Sequence, residues 1–342
     1  MTGTEILNSF LSHGETYRVL FHQFENRSAV HAYLITGEKG TGKKTLAKLM
    51  GAALLCTSET SKPCGNCKNC LLSETGEHPD MILIEKGNPI APGIKKGRAT
   101  IPVEDIREMI RLCGIRSPEG NMHVVLIFDA DTMTVQAQNC LLKTLEDPPS
   151  GTCIILVTDH PETLLTTIIS RCRPVRTIAW PDEYIQQVLS GNGVSSERAK
   201  NAISAANGSI GRALELSSDD QYWELREEIL DAFFKTSSRS DVLRISTSWK
   251  DRKQEADQIF SILDHFVRVL TEARFGNYST VDRSIFPKQW QSFSESAEPE
   301  RFLELAEAVA NARKQLQFSV NFQAVMEQLI FVFIGEGNAW LK

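Results

Sequence analysis

An apolar run followed at once by a glycine-rich loop is the feature that most constrains how this chain folds. The run His31–Ile35 precedes Gly37-Glu38-Lys39-Gly40-Thr41-Gly42-Lys43-Lys44-Thr45. The positions of Gly37, Gly42 and Lys43 match the strand–GxxxxGK[ST]–helix pattern, in which backbone N–H groups and the lysine hold nucleotide phosphates. The sequence therefore predicts a strand, a phosphate-binding loop and a helix, in that order.

The loop departs from this pattern at one position. The residue after the lysine normally places a hydroxyl on Mg²⁺, but here that residue is Lys44. Thr45 comes one residue later, and one step along a helix turns a side chain by about 100°. We therefore expect the loop to hold a phosphate but to have an impaired metal site.

Size and composition limit what the chain can be. Its 342 residues are enough for two or three domains. The net charge of −6 argues against general nucleic-acid binding, so a contact with DNA would need a local basic surface. Neither a secretory signal nor an apolar run of the roughly 20 residues that span a bilayer is found, so we expect a cytoplasmic protein without membrane contact.

Two kinds of hydrophobic pattern divide the chain. The first half alternates apolar runs with amphipathic stretches, which predicts an α/β fold with a mostly parallel sheet. Strand signals end after Trp180, and the pattern is entirely helical from about residue 237, so the predicted fold class is α/β followed by all-α. The predicted strands are Tyr33–Thr36, Met81–Glu85, Val124–Asp129, Ile154–Thr158 and Val175–Ile178. The predicted domains are residues 1–179, 180–236 and 237–342, with residues 292–299 as a loop between helices.

Four cysteines close together in the sequence predict a zinc site. Cys56, Cys64, Cys67 and Cys70 have the spacing C-x₇-C-x₂-C-x₂-C, and short C-x₂-C steps are typical of tetrahedral Zn²⁺ ligands. Disulfides or unpaired thiols are the alternative, which a reducing cytoplasm disfavours. Because four thiolates leave no open coordination position, we expect the zinc to be structural. The remaining cysteines are expected to be buried as small apolar side chains: Cys113, Cys140, Cys153 and Cys172.

A second apolar strand places an acidic residue where an ATPase would need one. Val124–Phe128 ends in Asp129, a position from which P-loop enzymes hold Mg²⁺. Many such ATPases carry a water-activating glutamate next, but here that residue is Ala130, and Asp131 is expected to point elsewhere. The alternative is that Asp129 is only a polar strand end at a turn. Lys44 and Ala130 together favour a protein that does not turn over ATP efficiently.

Further motifs point to a family. Asn139–Pro149 reads NCLLKTLEDPP, and Ser170-Arg171-Cys172 follows it. With the glycine-rich loop, the four cysteines and the Asp129-Ala130 pair, this order resembles the AAA+ subunits of the bacterial DNA polymerase III clamp loader. The resemblance is stronger to the delta-prime type than to the gamma/tau motor type. It covers residues 1 to about 215, and the helical last third is similar in character and length.

The resemblance implies a fold and an assembly. It implies an AAA+ nucleotide-binding module with a zinc-binding insertion at about residues 56–70, a small helical lid and a C-terminal collar domain. The collar joins a hetero-pentameric ring with gamma/tau and delta subunits, which opens the sliding clamp and places it on primed DNA. Delta-prime is usually the stationary member without a competent ATPase site, in agreement with Lys44 and Ala130. Family motors carry a γ-phosphate-sensing arginine in a Gly-Ser-x-Arg motif. In this chain the motif reads Gly208-Ser209-Ile210-Gly211, and Arg212 follows one position later. We therefore expect ATP or ADP binding without efficient hydrolysis.

The resemblance also assigns residue roles. Arg171 matches the arginine finger that reaches into the ATP site of the neighbouring subunit; the alternative is a helix-end arginine in a surface salt bridge worth less than about 1 kcal/mol. Thr158 lies where AAA+ proteins place a nucleotide-sensing polar residue, and a plain strand cap is the alternative. The predicted nucleotide-contacting residues are Gly37, Gly40, Gly42, Lys43, Lys44, Thr45, Asp129 and Thr158.

Two alternative functions predict different properties for this chain. A gamma/tau-type ATPase with an atypical loop would need Lys44, Thr45 and Asp131 to compensate for the missing groups. A zinc-dependent nucleic-acid-binding protein would show salt-sensitive DNA affinity, which the acidic net charge disfavours. No carboxylate cluster of two-metal character appears in the sequence, so polymerase activity belongs to the complex. A basic patch toward DNA or a partner, or simply a solvated face, is formed by Lys95, Lys96, Arg98, Arg107 and Arg111.

Overall fold

A computed structural model describes most of the chain. The described residues are 3–26, 28–59, 61–115, 117, 122–234, 236, 238–275, 297–317 and 320–335. They divide into two compact units, one of Met1–Gly191 with Asn207–Arg212 and one of Asn192–Ala206 with Ala213–Lys342. The boundary predicted near residue 237 and most of the loop predicted at 292–299 lie outside the described residues. The division into three domains stays a prediction.

The first unit is built around a parallel sheet of five strands. The strand order is β2-β3-β4-β1-β5, and every neighbouring pair is parallel. The strands are β1 (Ala32–Thr36), β2 (Met81–Ile84), β3 (His123–Ile127), β4 (Thr152–Thr158) and β5 (Arg173–Arg176). The helices are α1 (Gly3–His13), α2 (Glu15–Glu25), α3 (Lys43–Leu55), α4 (Lys68–Thr75), α5 (Val103–Cys113), α6 (Val135–Glu146), α7 (Thr166–Ile169) and α8 (Asp182–Gly191).

The central strands are apolar along their whole length because both faces of the sheet are covered. Side chains alternate between the two faces of a strand, and Leu34 and Ile127 lie in a buried cluster with residues of α5 and α6. Helix α3 covers the opposite face. Its Gly51 approaches the sheet so closely that a Cβ there would lie 2.7 Å from Met81 Cε and 3.3 Å from Val124 Cγ1. A close helix–sheet contact therefore depends on this glycine.

The second unit is helical. Its helices include α9 (Ser196–Ala206), α10 (Ile210–Ser218), whose first residues belong to the first unit, α11 (Asp220–Phe234), α12 (Arg239–Ser248), α13 (Ala256–Phe275), α14 (Pro299–Gln317) and α15 (Phe322–Phe333). Leu263, Leu270 and Leu305 are fully buried. An ion pair between Arg313 and Asp264, at 2.6 Å, links α13 to α14.

The predicted fold class, α/β followed by all-α, is confirmed. The sequence placed the last strand at Val175–Ile178, but β5 spans Arg173–Arg176. Only Val175 of this strand is buried, and Pro174 is tolerated because β5 is at the edge of the sheet. An edge strand of this composition has no apolar run to mark it. Among the described helices, none combines the length and the apolar character needed to cross a membrane.

Candidate functional site

The predicted phosphate-binding loop, residues 37–42, joins the carboxyl end of β1 to the start of α3. Gly37, Gly40 and Gly42 have positive φ angles of 146°, 77° and 91°. A Cβ on Gly37 would lie 2.1 Å from Thr177 Oγ1, so any other residue there would clash. The loop adopts this shape only because these positions are glycines.

Contacts with the segment after β5 fix the middle of the loop. The Thr41 hydroxyl donates to the Glu38 carbonyl at 2.7 Å and lies 2.7 Å from the Thr177 hydroxyl. The indole N–H of Trp180 donates to the Thr41 carbonyl at 3.0 Å. Thr41 is buried, and its polar atoms are therefore paired as buried groups must be.

The Gly208–Arg212 segment also bonds to the loop. The Ser209 hydroxyl donates to the Lys39 carbonyl at 2.9 Å, and the Gly211 amide donates to the Gly40 carbonyl at 3.0 Å. A Cβ on Gly40 would lie 2.2 Å from Ser209 Oγ. Both of these bonds have a loop carbonyl as their acceptor, so neither uses a loop N–H group as a donor.

The loop presents a set of N–H groups at the start of a 13-residue helix. Within the described part of the chain, the amides of Gly40, Gly42, Lys43 and Lys44 donate to no acceptor. Unpaired amides and the positive end of the helix dipole make such a position favourable for an anion. The backbone of the loop is therefore suited to phosphate, as the sequence predicts.

Lys43 is buried beneath the loop. Its Nζ donates to the carbonyls of Gly37 at 2.9 Å and Glu38 at 2.5 Å, and lies 2.6 Å from Asp159 Oδ1. Asp159 was not predicted from the sequence. It follows the last residue of β4, Thr158, which pairs with Thr36 at the end of β1, so the parallel register brings it to the loop. That register cannot be read from either segment alone.

Lys44 occupies the position where Mg²⁺ would be expected. Its Nζ lies 3.0 Å from Asp129 Oδ2 and 5.3 Å from the centre of the Phe128 ring. Asp129 has a φ of 51°, a left-handed conformation that turns the chain sharply just after β3. Thr45 lies elsewhere: it is exposed and lines a cavity with Lys48 on the outer side of α3. The residues present therefore do not fit Mg²⁺ at this site.

The residues after Asp129 do not supply a water-activating carboxylate. Ala130 is fully buried in the apolar cluster with α5 and α6, so the missing glutamate would have to place a charge in the core. Asp131 Oδ1 accepts a 2.6 Å hydrogen bond from the Thr158 hydroxyl, whose oxygen accepts from the His160 amide at 2.9 Å. Asp131 is thus bonded to Thr158 at the end of β4, one residue before Asp159.

Arg171 lies at the other end of the sheet from the loop. It precedes β5, and β5 pairs with β1 so that Arg176 is opposite Thr36, the residue before the loop. From Arg173 to Arg176 the strand alone covers about 10 Å, at about 3.3 Å per residue. Arg171 and the loop of the same chain are therefore separated along the strand direction.

The guanidinium of Arg171 is held by two partners. Nη2 lies 2.6 Å from Glu146 Oε1 at the end of α6, and Nη1 donates to the Thr167 carbonyl at 2.9 Å. About a third of the side chain is exposed, at 35%. Ser170 donates its hydroxyl to the Thr167 carbonyl at 3.1 Å. Burial raises the pKa of the Cys172 thiol to about 12, so Cys172 is an inert neighbour rather than a nucleophile.

The four clustered cysteines come together in space. The ligand atoms of Cys56, Cys64, Cys67 and Cys70 lie within 4.8 Å of one another, and all four are free thiols. Cys56 Sγ is 4.0 Å from Cys67 Sγ, and Cys64 Sγ is 3.9 Å from Cys70 Sγ. A tetrahedral zinc with bonds of about 2.3 Å sets its sulfurs about 3.8 Å apart. The arrangement fits a four-thiolate metal site and disfavours disulfides.

Hydrogen bonds to sulfur prepare this cluster for a cation. The amides of Ser58, Cys67 and Cys70 donate to Cys56, Cys64 and Cys67, each at 3.4 Å. Burial opposes the Cys67 thiolate, but hydrogen bonds from the Thr57 and Cys70 backbone and from side chains outweigh it and lower the pKa of Cys67 to about 6. Burial raises the pKa of Cys56. A metal would deprotonate the remaining thiols by its own charge.

The remaining predicted residues are the scattered cysteines and the basic residues. Cys113, Cys153 and Cys172 are buried and Cys140 is half-buried, and burial raises the pKa of Cys153 to about 12. Arg111 is paired with Glu108 at 2.7 Å on its own helix. The basic stretch at residues 95–98 forms no ion pair within the described residues. It stays a candidate surface only.

The chain is similar in sequence to subunits of DNA polymerase III. Residues 12–179 match the family described as DNA polymerase III, delta subunit. DNA polymerase III subunit delta' of Bacillus subtilis is 29% identical over 320 residues, 92% of this chain and 94% of that protein. Subunit delta' of Escherichia coli is 36% identical over 59% of this chain and 58% of that protein. Subunit tau of Escherichia coli is 34% identical over 55% of this chain, but only 28% of tau is covered.

The alignment with the Bacillus protein spans both the sheet unit and the helical unit, whereas the one with tau covers a minor part of that subunit. The glycine-rich loop and the parallel sheet lie within the matched residues 12–179. Residues 12–179 therefore match a DNA polymerase III subunit family, and over almost its whole length the chain is similar to DNA polymerase III subunit delta'.

Proposed function

We propose that this chain is a non-hydrolysing clamp-loader subunit that donates Arg171 to the ATP site of a neighbouring subunit. In this proposal it works in a hetero-pentamer with gamma/tau and delta subunits, in the cytoplasm, and helps to load the sliding clamp on primed DNA. Nucleotide binds at its own loop without efficient turnover. Similarity to both delta' and tau proteins supports membership of such a complex.

The separation of Arg171 from its own loop is the observation that supports the proposal most directly. Arg171 precedes β5 while the loop follows β1, and the parallel pairing of these strands puts the two at opposite ends. An arginine in this place serves an ATP site outside its own chain or none. A planar, permanently charged guanidinium is suited to the charge that develops on a transferring phosphoryl group.

The composition of the chain's own site supports the absence of turnover. Lys44 takes the place of a metal-binding hydroxyl and pairs with Asp129, the acid that would hold Mg²⁺. Ala130 offers no carboxylate to activate water and is closed into the core. Phosphoryl transfer depends on positioned charge, so the loss of both groups removes most of what the site could contribute.

Zinc at the four cysteines has a structural role in this proposal. The cluster joins the end of α3, through Cys56, to the start of α4, through Cys67 and Cys70. Four thiolates close the coordination shell, so the metal would act as a cross-link and not as a Lewis acid. The zinc module would thereby fix α4 against α3 beside the nucleotide module.

The decisive experiment measures ATP turnover by the reconstituted clamp loader with clamp and primed DNA. Wild type is compared with Arg171→Ala, Lys43→Ala and the control Arg173→Ala, a nearby arginine that bonds to Gln23. We expect Arg171→Ala to lower the turnover of the complex by at least about 10³-fold at the site it serves, the scale of an arginine finger. Arg173→Ala should turn over ATP like wild type.

The two outcomes separate the competing functions. If Arg171→Ala lowers turnover and Lys43→Ala does not, the chain donates an arginine and does not hydrolyse ATP. If Lys43→Ala lowers ATP turnover and Arg171→Ala does not, the chain is itself a motor of the gamma/tau type and the proposal is wrong.

A further inference from the structure

The two lysines that follow the phosphate loop, Lys43 and Lys44, are each paired with an acidic residue that follows a sheet strand. Lys43 Nζ lies 2.6 Å from Asp159 Oδ1, and Lys44 Nζ lies 3.0 Å from Asp129 Oδ2. Asp159 follows β4 and Asp129 follows β3, two neighbouring strands of the sheet. The site thus has two internal cation–carboxylate pairs where a metal-dependent nucleotide site has one lysine and one Mg²⁺.

The second pair excludes the metal on chemical grounds. Mg²⁺ needs near-octahedral oxygen ligands at about 2.0–2.1 Å and is usually bound by one or two carboxylates together with substrate phosphates. Asp129 Oδ2 already accepts from an ammonium, and an ammonium beside it repels a divalent cation. The hydroxyl that would complete the ligand set is absent, since Thr45 lines a cavity on the outer side of α3.

Lys44 itself brings positive charge to this end of α3. Lys44 is the second residue of α3, so its backbone N–H is one of the unpaired amides at the start of the helix, and its side chain carries an ammonium from the same turn. Its position is fixed by Asp129 and by the Phe128 ring, 5.3 Å from Nζ. A fixed cation next to unpaired amides favours a phosphate group without a bridging metal.

We propose that this loop binds nucleoside di- and triphosphates without Mg²⁺, with the Lys44 ammonium on Asp129 in place of the metal. The inference deepens the proposed function, because it rests on nucleotide binding at the loop of this chain. It predicts that the affinity for nucleotide is insensitive to Mg²⁺. It also predicts that restoring a hydroxyl at position 44 restores metal dependence, because the hydroxyl and a freed Asp129 can then share the ion.

The test is calorimetric titration of the full-length protein with ADP and with ATP, in buffer containing either Mg²⁺ or EDTA. The variants are Lys44→Thr and, as a matched control, Lys48→Thr, the same substitution one turn later on α3. Wild type and Lys48→Thr should bind with dissociation constants that differ by less than about twofold between the two buffers. Lys44→Thr should bind at least about tenfold more tightly in Mg²⁺ than in EDTA, a ratio well above titration error.

Three results would overturn the inference. Wild-type affinity that rises about tenfold with Mg²⁺ would place a metal at Asp129 despite Lys44. A Lys44→Thr variant that binds nucleotide equally in both buffers would show that Lys44 does not stand in for the ion. Wild type that binds neither ADP nor ATP in either buffer would remove the ligand, while the Arg171 comparison in the assembled clamp loader would still decide the proposed function. The wild-type titration needs no variant to fold.

Discussion

At the scale of single residues, Glu146 is one of the two groups that hold the Arg171 guanidinium, the other being the Thr167 carbonyl. Its carboxylate is 2.6 Å from Arg171 Nη2 and projects from the end of α6, just before the Asp147-Pro148-Pro149 turn. The pair is partly exposed, and exposed salt bridges contribute at most about 1 kcal/mol. If Arg171 serves a neighbouring ATP site as proposed, Glu146 is a positioning residue with an effect on rate rather than on folding.

Glu146→Gln should lower the ATP turnover number of the reconstituted clamp loader about two- to fivefold, since about 1 kcal/mol of lost orientation corresponds to a factor of about five. Amide and carboxylate have the same shape, so only the charge-assisted bond is lost. The KM for ATP should not change, because in its proposed role the arginine acts in the transition state and not in substrate binding. Steady-state kinetics at varied ATP concentration measure both constants.

The control for Glu146 is Glu162→Gln, which alters an exposed glutamate paired with His160. Assembly of the complex is followed by gel filtration, and Glu146→Asp should recover part of the lost rate if charge near Arg171 is what counts. A rise in KM with an unchanged turnover number, or a defect in assembly alone, would show that Glu146 does not orient Arg171.

Residue patterns predict the site residues that belong to a recognisable motif. The loop glycines, Lys43 and the missing hydroxyl at Lys44 could all be recognised because they form one short motif. Asp159 could not, because its contact with Lys43 depends on the pairing of β1 with β4. The sequence showed Ala130 as a missing carboxylate, and the structure adds that its position is in the core, where an unpaired charge would be costly.

At the scale of elements, zinc should hold α3 and α4 together. Helix α4 has only eight residues, too short to be stable by itself, and its first turn carries Cys70. Removing one ligand leaves three thiolates and an incomplete shell, so Cys70→Ala should reduce bound zinc from one per chain to near zero. The melting temperature should fall by about 4 °C or more, which corresponds to about 2 kcal/mol in a unit of this size.

Elemental analysis of protein purified without added metal gives the zinc content, and differential scanning calorimetry gives the melting temperature. Cys140→Ala is the control, since Cys140 is half-buried and lies outside the cluster. Full zinc content in Cys70→Ala, or four thiols that react freely with a thiol reagent in the native wild type, would contradict a four-cysteine zinc site.

A helix or strand could be predicted from the sequence where its own residues form a recognisable apolar pattern. The inner strands are continuous apolar runs, so their positions were predicted closely. The edge strand β5 was misplaced by two residues because it is stabilised by pairing with β1 and not by an apolar pattern of its own. The four-residue helix α7 has too few residues to show a period.

At the scale of the whole molecule, two compact units have two separate sets of buried residues. In the sheet unit, the core lies between the strands and α3, α5 and α6; in the helical unit, it includes Leu305 on α14. The chain's fold class followed from a change of period along the sequence, from alternating apolar runs to helical spacing. The same change predicts a boundary near residue 179, but no pattern in the sequence indicates that Asn207–Arg212 belongs to the first unit.

Helix α14 offers a matched pair of leucines that tests this separation. Leu305 is fully buried, whereas Leu303, two residues earlier, is 64% exposed. Leu305→Ala should lower the free energy of unfolding of the helical unit by about 2–5 kcal/mol, because it removes buried apolar atoms and leaves a cavity. Leu303→Ala should change it by less than about 0.5 kcal/mol.

If the helical unit is the part that joins the ring, Leu305→Ala should also weaken assembly with the other clamp-loader subunits. Zinc content should not change in either variant, because the four cysteines belong to the sheet unit. Urea unfolding followed by hydrogen exchange resolves the two units, and gel filtration with the partner subunits reports assembly. Equal loss of protection in both units of Leu305→Ala would show that they unfold together, and the zinc site would then depend on the helical unit for its stability.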